Sequence, residues 1–183
     1  TLKTQIEAIK KRLVIESSLL AREIKQRRVT SSDLAERLPA NTALVEFMKI
    51  PSLDFEKNKW IPRYLVFILR KDGAVYLIDL GPADVFEEHI SKGLSGIKSG
   101  LGYKEINAKN IQIFKELYDK IWKPIESELK SADKVFISPD GILNLLPFGA
   151  LIDNEEKFLL ENMEIAYLTN GRELIGVEGE EFK

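Results

Sequence analysis

The sequence predicts an α/β fold in which a mixed β-sheet is flanked by helices. Three observations carry that prediction. Apolar, β-branched and aromatic runs at Ala43–Lys49, Tyr64–Leu69 and Val135–Ile137 have the length and bounding residues of strands. The sequence Lys71-Asp72-Gly73 joins two such runs as a hairpin turn. Long stretches with apolar residues three, four or seven apart lie before and between the strands, as helices that must bury one face.

Taken in order, Leu2, Ile6, Ile9, Leu13, Leu20 and Ile24 describe one amphipathic helix from about Thr1 to Arg28. Glu7 with Lys11 and Glu23 with Arg27 add i,i+4 pairs in the favoured orientation. Two roles fit this helix equally: packing on its own domain, or continuing an upstream helical array. Thr30 and Asp33 have capping-box spacing and open a short helix that must stop before Pro39, because proline restricts its predecessor away from helical geometry.

The strand region follows. Ala43–Lys49 alternates around Glu46, Tyr64–Leu69 is apolar on both faces as a central strand is, and Ala74–Leu80 returns beside it. The intervening SLDFEKNKWIPR reads as a polar loop anchored by Trp60. Pro82 opens a helix to about Ile97 with Phe86, Ile90, Leu94 and Ile97 on one side. The glycine-rich SGIKSGLGYKEIN then invites a phosphate-loop reading, which its spacing rejects. No Gly directly precedes Lys98, and Glu105 stands where the dinucleotide fingerprint needs Gly, so a loop is expected there. Ile111, Phe114, Tyr118, Ile121, Ile125 and Leu129 form the stripe of a second long helix, which Pro124 should kink. Tyr118 and Trp122, four apart, read as core packing.

The most informative segment is SPDGILNLLPFGALI, residues 138–152. Lys134–Ser138 is a buried-strand pattern, and Ser138-Pro139-Asp140-Gly141 fits a type I turn at its end. Leu143, Leu145, Leu146, Pro147, Phe148, Ala150 and Leu151 then place apolar bulk around a proline, so the chain must bend while staying in the core.

Widened to Glu116–Leu174, this segment resembles the first part of a CHAT domain, the caspase- and separase-related module often found behind tetratricopeptide repeats. The matching pieces are Leu117-Tyr118 followed by Pro124, the strand leading into Pro139-Asp140-Gly141, the element Leu146-Pro147-Phe148 with Ala150-Leu151 behind it, and the final strand IAYLTNGREL. LPANTALVEFMKI (Leu38–Ile50) and YLVFILRKDGAVYLIDL (Tyr64–Leu80) resemble the family's opening strands. The resemblance implies the N-terminal portion of a caspase-like fold, with residues 1–38 as a helical lead-in and 39–183 as the opening part of the domain.

In that family a Cys and a His act as a dyad, each placed after a later strand. This chain has no Cys, and its one His, His89, lies upstream of the turn. No residue inherits a catalytic role. A thiolate–imidazole pair needs both members, because the base generates the attacking thiolate and then protonates the leaving group. His89 reads as a partly exposed helix position beside Glu87 and Glu88. The resemblance implies a scaffold role for Pro139, Asp140, Gly141, Leu146, Pro147 and Phe148, with the wall of a substrate cleft as the further role open to them.

Composition narrows the rest. With 183 residues, 44% hydrophobic and 31% charged, the chain is long enough for one domain with a core. A net charge of −2 gives no pull toward nucleic acid or an anionic membrane, and no apolar run is long enough to span a bilayer. Zero Cys excludes disulfides and thiolate metal sites; Glu155-Glu156 and Glu180-Glu181 lack ligand spacing, so neither metal nor cofactor is expected. No signal peptide is visible, and a cytoplasmic setting is the default. The start at Thr1 and the acidic, Gly-containing end GVEGEEFK suggest a piece cut from a larger protein. The expected function is thus a fragment of a CHAT-family cysteine endopeptidase that supplies scaffold without the dyad. The alternative is a non-catalytic CHAT-like interaction or regulatory module. Expected partners are a protein substrate or regulator, upstream helical repeats, and a second copy of the chain through an uncovered sheet edge.

Overall fold

The computed structural model describes residues 29–56, 58–98, 111–129 and 132–176. The lead-in helix expected over residues 1–28, the glycine-rich stretch 95–107 from residue 99 onward, and the tail from 177 onward lie outside them. What is described is a five-stranded mixed sheet flanked by helices, with strand order β3-β2-β1-β4-β5.

Helix α1 (Ser31–Arg37) begins with the predicted capping box. The Thr30 hydroxyl accepts from the Asp33 amide at 3.2 Å, and the Asp33 carboxylate accepts from the Thr30 amide at 2.8 Å. Leu38, just before Pro39, is extended at φ −61°, ψ 132°, and the helix stops there. Asn41 adopts φ 55°, a left-handed position that asparagine tolerates, and turns the chain into the sheet.

Strands β1 (Thr42–Asp54) and β2 (Lys59–Arg70) pair antiparallel over their whole length, from Ala43 opposite Arg70 to Asp54 opposite Lys59. The predicted polar loop is thus a two-stranded ribbon, and Trp60 is no anchor, being 65% exposed. Leu53 faces Trp60 across the ribbon, and cross-strand pairing outweighs the polar composition. Pro51 stands directly opposite Pro62. The Lys49 amide points away from β2, where it donates to Asp140, so by alternation the nitrogen of Pro51 also points away. Two prolines at outward positions remove one donor from each edge of the ribbon and blunt it against stray pairing.

Strand β3 (Val75–Pro82) completes the predicted hairpin through Gly73 at φ 82°. Its register slips between Tyr64 and Leu65, which leaves Leu80 as a bulge followed by Gly81 at φ 100°. Pro82 ends this strand instead of opening a helix, and α2 (Ala83–Lys98) starts one residue later. Phe86 and Ile90 are buried as predicted.

Helix α3 (111–129) does not run as a plain kinked helix. Tyr118–Trp122 is a π turn, in which the Lys123 amide donates to the Tyr118 carbonyl five residues back, and regular helix resumes at Lys123–Leu129. Pro124 has no amide to donate to the Lys120 carbonyl, and its ring crowds the preceding turn; the wider π turn just upstream accommodates both. Tyr118, Ile121, Trp122, Ile125 and Leu129 are buried, whereas Ile111 is exposed and does not extend the stripe. The Tyr118 hydroxyl donates to Glu126 across the irregular turn. Burial, and then this acceptor, push that phenol above its ordinary range.

Strands β4 (Lys134–Ser138) and β5 (Glu164–Tyr167) add parallel to the other side of β1. Between them come two 3₁₀ turns, Gly141–Leu145 and Phe148–Ala150, and the short helix α4 (Leu159–Asn162); α5 (Glu173–Gly176) follows β5. The sheet buries two layers. Ala43, Val45 and Phe47 of β1, Tyr64, Val66 and Ile68 of β2, and Val135 and Ile137 of β4 pack with α2, α3 and the 3₁₀ turns. On the opposite face a smaller cluster joins Leu44, Leu69 and Phe136 to Ala35 and Leu38 at α1 and to Leu174 of α5.

Trp122 is 1% exposed and stacks edge-on with Phe148 at 6.5 Å. Trp122→Ala removes the largest fully buried side chain, and urea unfolding should show a loss of about 3–5 kcal/mol. A loss below about 1 kcal/mol would mean that α3 packs less tightly on the sheet than its geometry indicates.

Candidate functional site

Strand order reverses at the β1–β4 boundary: β2 and β3 lie on one side of β1, β4 and β5 on the other. In open sheets the crevice beyond the carboxyl ends of the strands at such a point is where ligands bind. The segment Pro139-Asp140-Gly141 emerges from β4 at this place.

The turn is not the predicted type I turn. Asp140 is extended at φ −128°, ψ 154°, where a type I turn needs ψ near 0°. A different job determines the conformation. Strand β4 stops opposite Glu46, while β1 runs on to Asp54, so the amides of β1 beyond Glu46 lose their partner strand. The Asp140 carboxylate takes the place of the missing strand and accepts from the Lys49 amide at 2.8 Å, with its other oxygen capping the Gly141 amide at 2.7 Å.

Gly141 sits at φ 57°, and a Cβ there would lie 2.5 Å from the Tyr64 hydroxyl. That hydroxyl donates to the Asp140 carbonyl at 3.3 Å. Lys49 extends past the turn to pair with Glu87 of α2, and the bond to Glu87 holds its ammonium above the usual lysine range. Burial raises the Tyr64 phenol in the same cluster. The turn therefore ties β1, β2 and α2 together.

A second clamp lies beside it, and the sequence reading missed it. Glu46 of β1 accepts from the Gly171 amide at 2.8 Å, and a Cβ on Gly171 would meet Leu44 at 2.6 Å. The Ser138 hydroxyl donates to the Thr169 carbonyl at 3.1 Å. Only Glu164–Tyr167 of the expected last strand pairs in the sheet; the rest turns into α5 under these contacts. A lone carboxylate inside the apolar run of β1 was the available signal.

The Leu146-Pro147-Phe148 element is half as predicted. Leu143, Leu146, Phe148 and Leu151 are buried, but Leu145 and Pro147 face outward, because 3₁₀ turns place successive residues on different sides. Phe148 is fully buried, with ring centroids 5.1 Å from Phe47 and 6.3 Å from Tyr167, and its amide donates to the Tyr167 hydroxyl at 3.0 Å. Such aromatic contacts contribute about 0.5–1.5 kcal/mol each beyond area burial.

His89 is away from this assembly in its contacts. Its Nδ1 meets the Val85 carbonyl at 2.6 Å and its Nε2 meets Glu116 of α3 at 3.2 Å, so its acidic partner is Glu116 and not the adjacent Glu87 or Glu88. Helical neighbours i+1 and i+2 do not face one another, and α3 supplies the carboxylate instead. Ser138 is buried with its hydroxyl already donated, so it offers no nucleophile. Among the described residues no three His, Cys, Asp or Glu side chains are grouped to hold a metal ion, and no helix is long and apolar enough to cross a membrane.

With this geometry in hand, comparison with known families identifies the segment. Residues 112–181 match the family model of the CHAT domain, a span that takes in α3 almost from its start, the Pro139-Asp140-Gly141 clamp, the Leu146-Pro147-Phe148 element and β5. The resemblance read from Glu116 to Leu174 thus stands; β1, β2 and β3 lie outside the matched span. No curated protein matches the chain.

Gly141→Ala should destabilise the fold by about 1–2 kcal/mol from the left-handed backbone alone, with the Tyr64 contact adding to it. Tyr64→Phe removes the clashing oxygen, so the double variant should lose less than the sum of the two single losses in denaturant titrations. Strict additivity would show that the turn does not press on Tyr64.

Proposed function

We propose that this chain is the scaffold part of a CHAT-type cysteine endopeptidase, equivalent to the opening portion of a caspase-like domain. It supplies the sheet base and, through Pro139–Gly141 and the outward-facing Pro147 backed by the buried Leu146 and Phe148, a wall of the substrate cleft. The thiol and imidazole of the dyad come from sequence other than these 183 residues. The observation that carries this reading is the position of the Pro139-Asp140-Gly141 clamp. It lies within the CHAT match and at the carboxyl ends of the parallel strands, where the strand order reverses.

A division of labour follows from the chemistry. A dyad must hold its two side chains within hydrogen-bond reach and in fixed orientation, which demands a rigid base. The two carboxylate clamps supply that rigidity without touching the reaction. Access to the cleft would be governed by a protein partner or by helical repeats upstream, in a cytoplasmic setting.

A non-catalytic interaction module is the second reading, and the complete absence of Cys favours it for the chain by itself. Reading the coding sequence past Lys183 separates the two. A continuation into one strand ending in His-Gly and another ending in Ala-Cys is expected; a stop codon there overturns the peptidase reading in favour of the interaction module.

Self-association belongs to the same proposal. The Glu164 and Leu168 amides point to β4, so those of Ile165 and Tyr167 point outward from the terminal strand. Leu160, 62% exposed, and Tyr167, 53% exposed, border this open edge. Light scattering of the chain at high concentration should give a dimer mass, and Tyr167→Lys should return it to monomer. A monomer at all concentrations would remove the dimer from the proposal.

A further inference from the structure

The two faces of the sheet are covered unequally. One carries α2, α3 and the 3₁₀ turns over the main core. On the other, among the described residues, α1 and α5 cover only the cluster of Leu44, Leu69 and Phe136. The register continues that second face across the antiparallel strands: Met48 lies opposite Leu65, and Phe67 opposite Leu77. Met48 is 47% exposed, Leu77 58% and Val75 52%, and Leu65 and Phe67 are only half-buried. Antiparallel sheets often leave one face to water, but that face then carries polar side chains. Here it carries five apolar ones in adjoining positions, with Glu46 opposite Phe67 and Asp79 opposite Leu65 as its polar neighbours.

We propose that this apolar face is the docking site for the chain's own residues 1–28. Three features on the molecule select that occupant. The first is complementarity: Leu2, Ile6, Ile9, Leu13, Leu20 and Ile24 recur at helical spacing and present one apolar stripe needing a surface to bury it. The second is connection. Residue 28 is followed directly by Val29, Thr30 and α1, and α1 itself packs on this same face through Ala35 and Leu38. The third is the break in direction. Thr30 is extended at φ −100°, ψ 165° and its capping box closes the start of α1, so a helix ending near Arg28 cannot run straight on into α1. The chain changes direction at the start of the helix that packs on the same sheet face as the patch.

Length permits the contact. A helix of 28 residues is roughly 40 Å long, and the three antiparallel strands span only about 10 Å from β1 to β3. The docking would also settle the two roles that the sequence leaves open for this segment. A helix whose apolar stripe is spent on its own sheet is part of the domain and not the last element of an upstream array. The inference is independent of the peptidase reading, since it concerns the sheet face remote from the α2 and α3 layer.

Engineered disulfides test it, and the lack of native Cys makes each introduced pair unique. Leu77→Cys, at an exposed position, is combined in turn with Ile9→Cys, with Leu13→Cys and with Lys11→Cys on the opposite side of the stripe. After mild oxidation of the full chain at low concentration, at least one stripe position should give an intramolecular disulfide, seen as a faster-migrating monomer on a non-reducing gel, and Lys11 should not. Bridging to Lys11 as readily as to the stripe, no intramolecular bridge from either stripe position, or a disulfide-linked dimer as the main product would each overturn the proposal; the dimer would assign the face to a second copy.

Discussion

The structure depends on how the parallel pairing of β1 with β4 is made and ended. These strands are some ninety residues apart in sequence, and closing so long a loop carries an entropy cost that the pairing must outweigh. They are pinned at both ends. At the start, the Asp133 amide donates to the Asn41 carbonyl at 2.9 Å and the Asn41 amide group donates to the Asp133 carboxylate at 3.2 Å. At the finish, Asp140 captures the Lys49 amide where β4 has run out. Between the pins lie five paired positions with Val135, Phe136 and Ile137 fully buried. Each pin uses a side chain to satisfy backbone, so register is fixed without lengthening the strand.

This makes the Pro139-Asp140-Gly141 motif intelligible residue by residue. Proline follows the last paired residue of β4, where a further ladder donor would be unused. Aspartate has an acceptor on a short stem that reaches one strand across. Glycine tolerates the left-handed backbone and the approach of the Tyr64 hydroxyl. The motif terminates a strand at the switch point, and the Asp140 carboxylate is already committed to the Lys49 and Gly141 amides.

Much of the fold was legible in advance. The capping box at Thr30, the stop before Pro39, the hairpin at Gly73, the buried β4 and the burial of Tyr118 and Trp122 all follow from residues within a few positions of one another, which local patterns encode. The misreadings have a common cause. SLDFEKNKWIPR looked like a loop, and the turn after Ser138 looked like type I. In each case a distant segment decided: β2 across from β1, and the Lys49 amide across from Asp140. The Glu46–Gly171 clamp was missed for the same reason, its partners being 125 positions apart.

Residue identity and local pattern were enough for the capping box at Thr30, the hairpin at Gly73, the buried strand before Ser138, the CHAT character of the part around residues 138–152, and the absence of a thiol from the chain. These follow from periodicity, turn chemistry and residue identity, which need no third dimension. The tertiary structure alone decided that β1 outruns its parallel partner, that two carboxylates finish its edge, and that one sheet face is left with exposed apolar side chains. Those outcomes depend on which strands meet and where they end relative to one another, and hydrogen-bond satisfaction and burial fix such offsets only once the whole sheet has assembled.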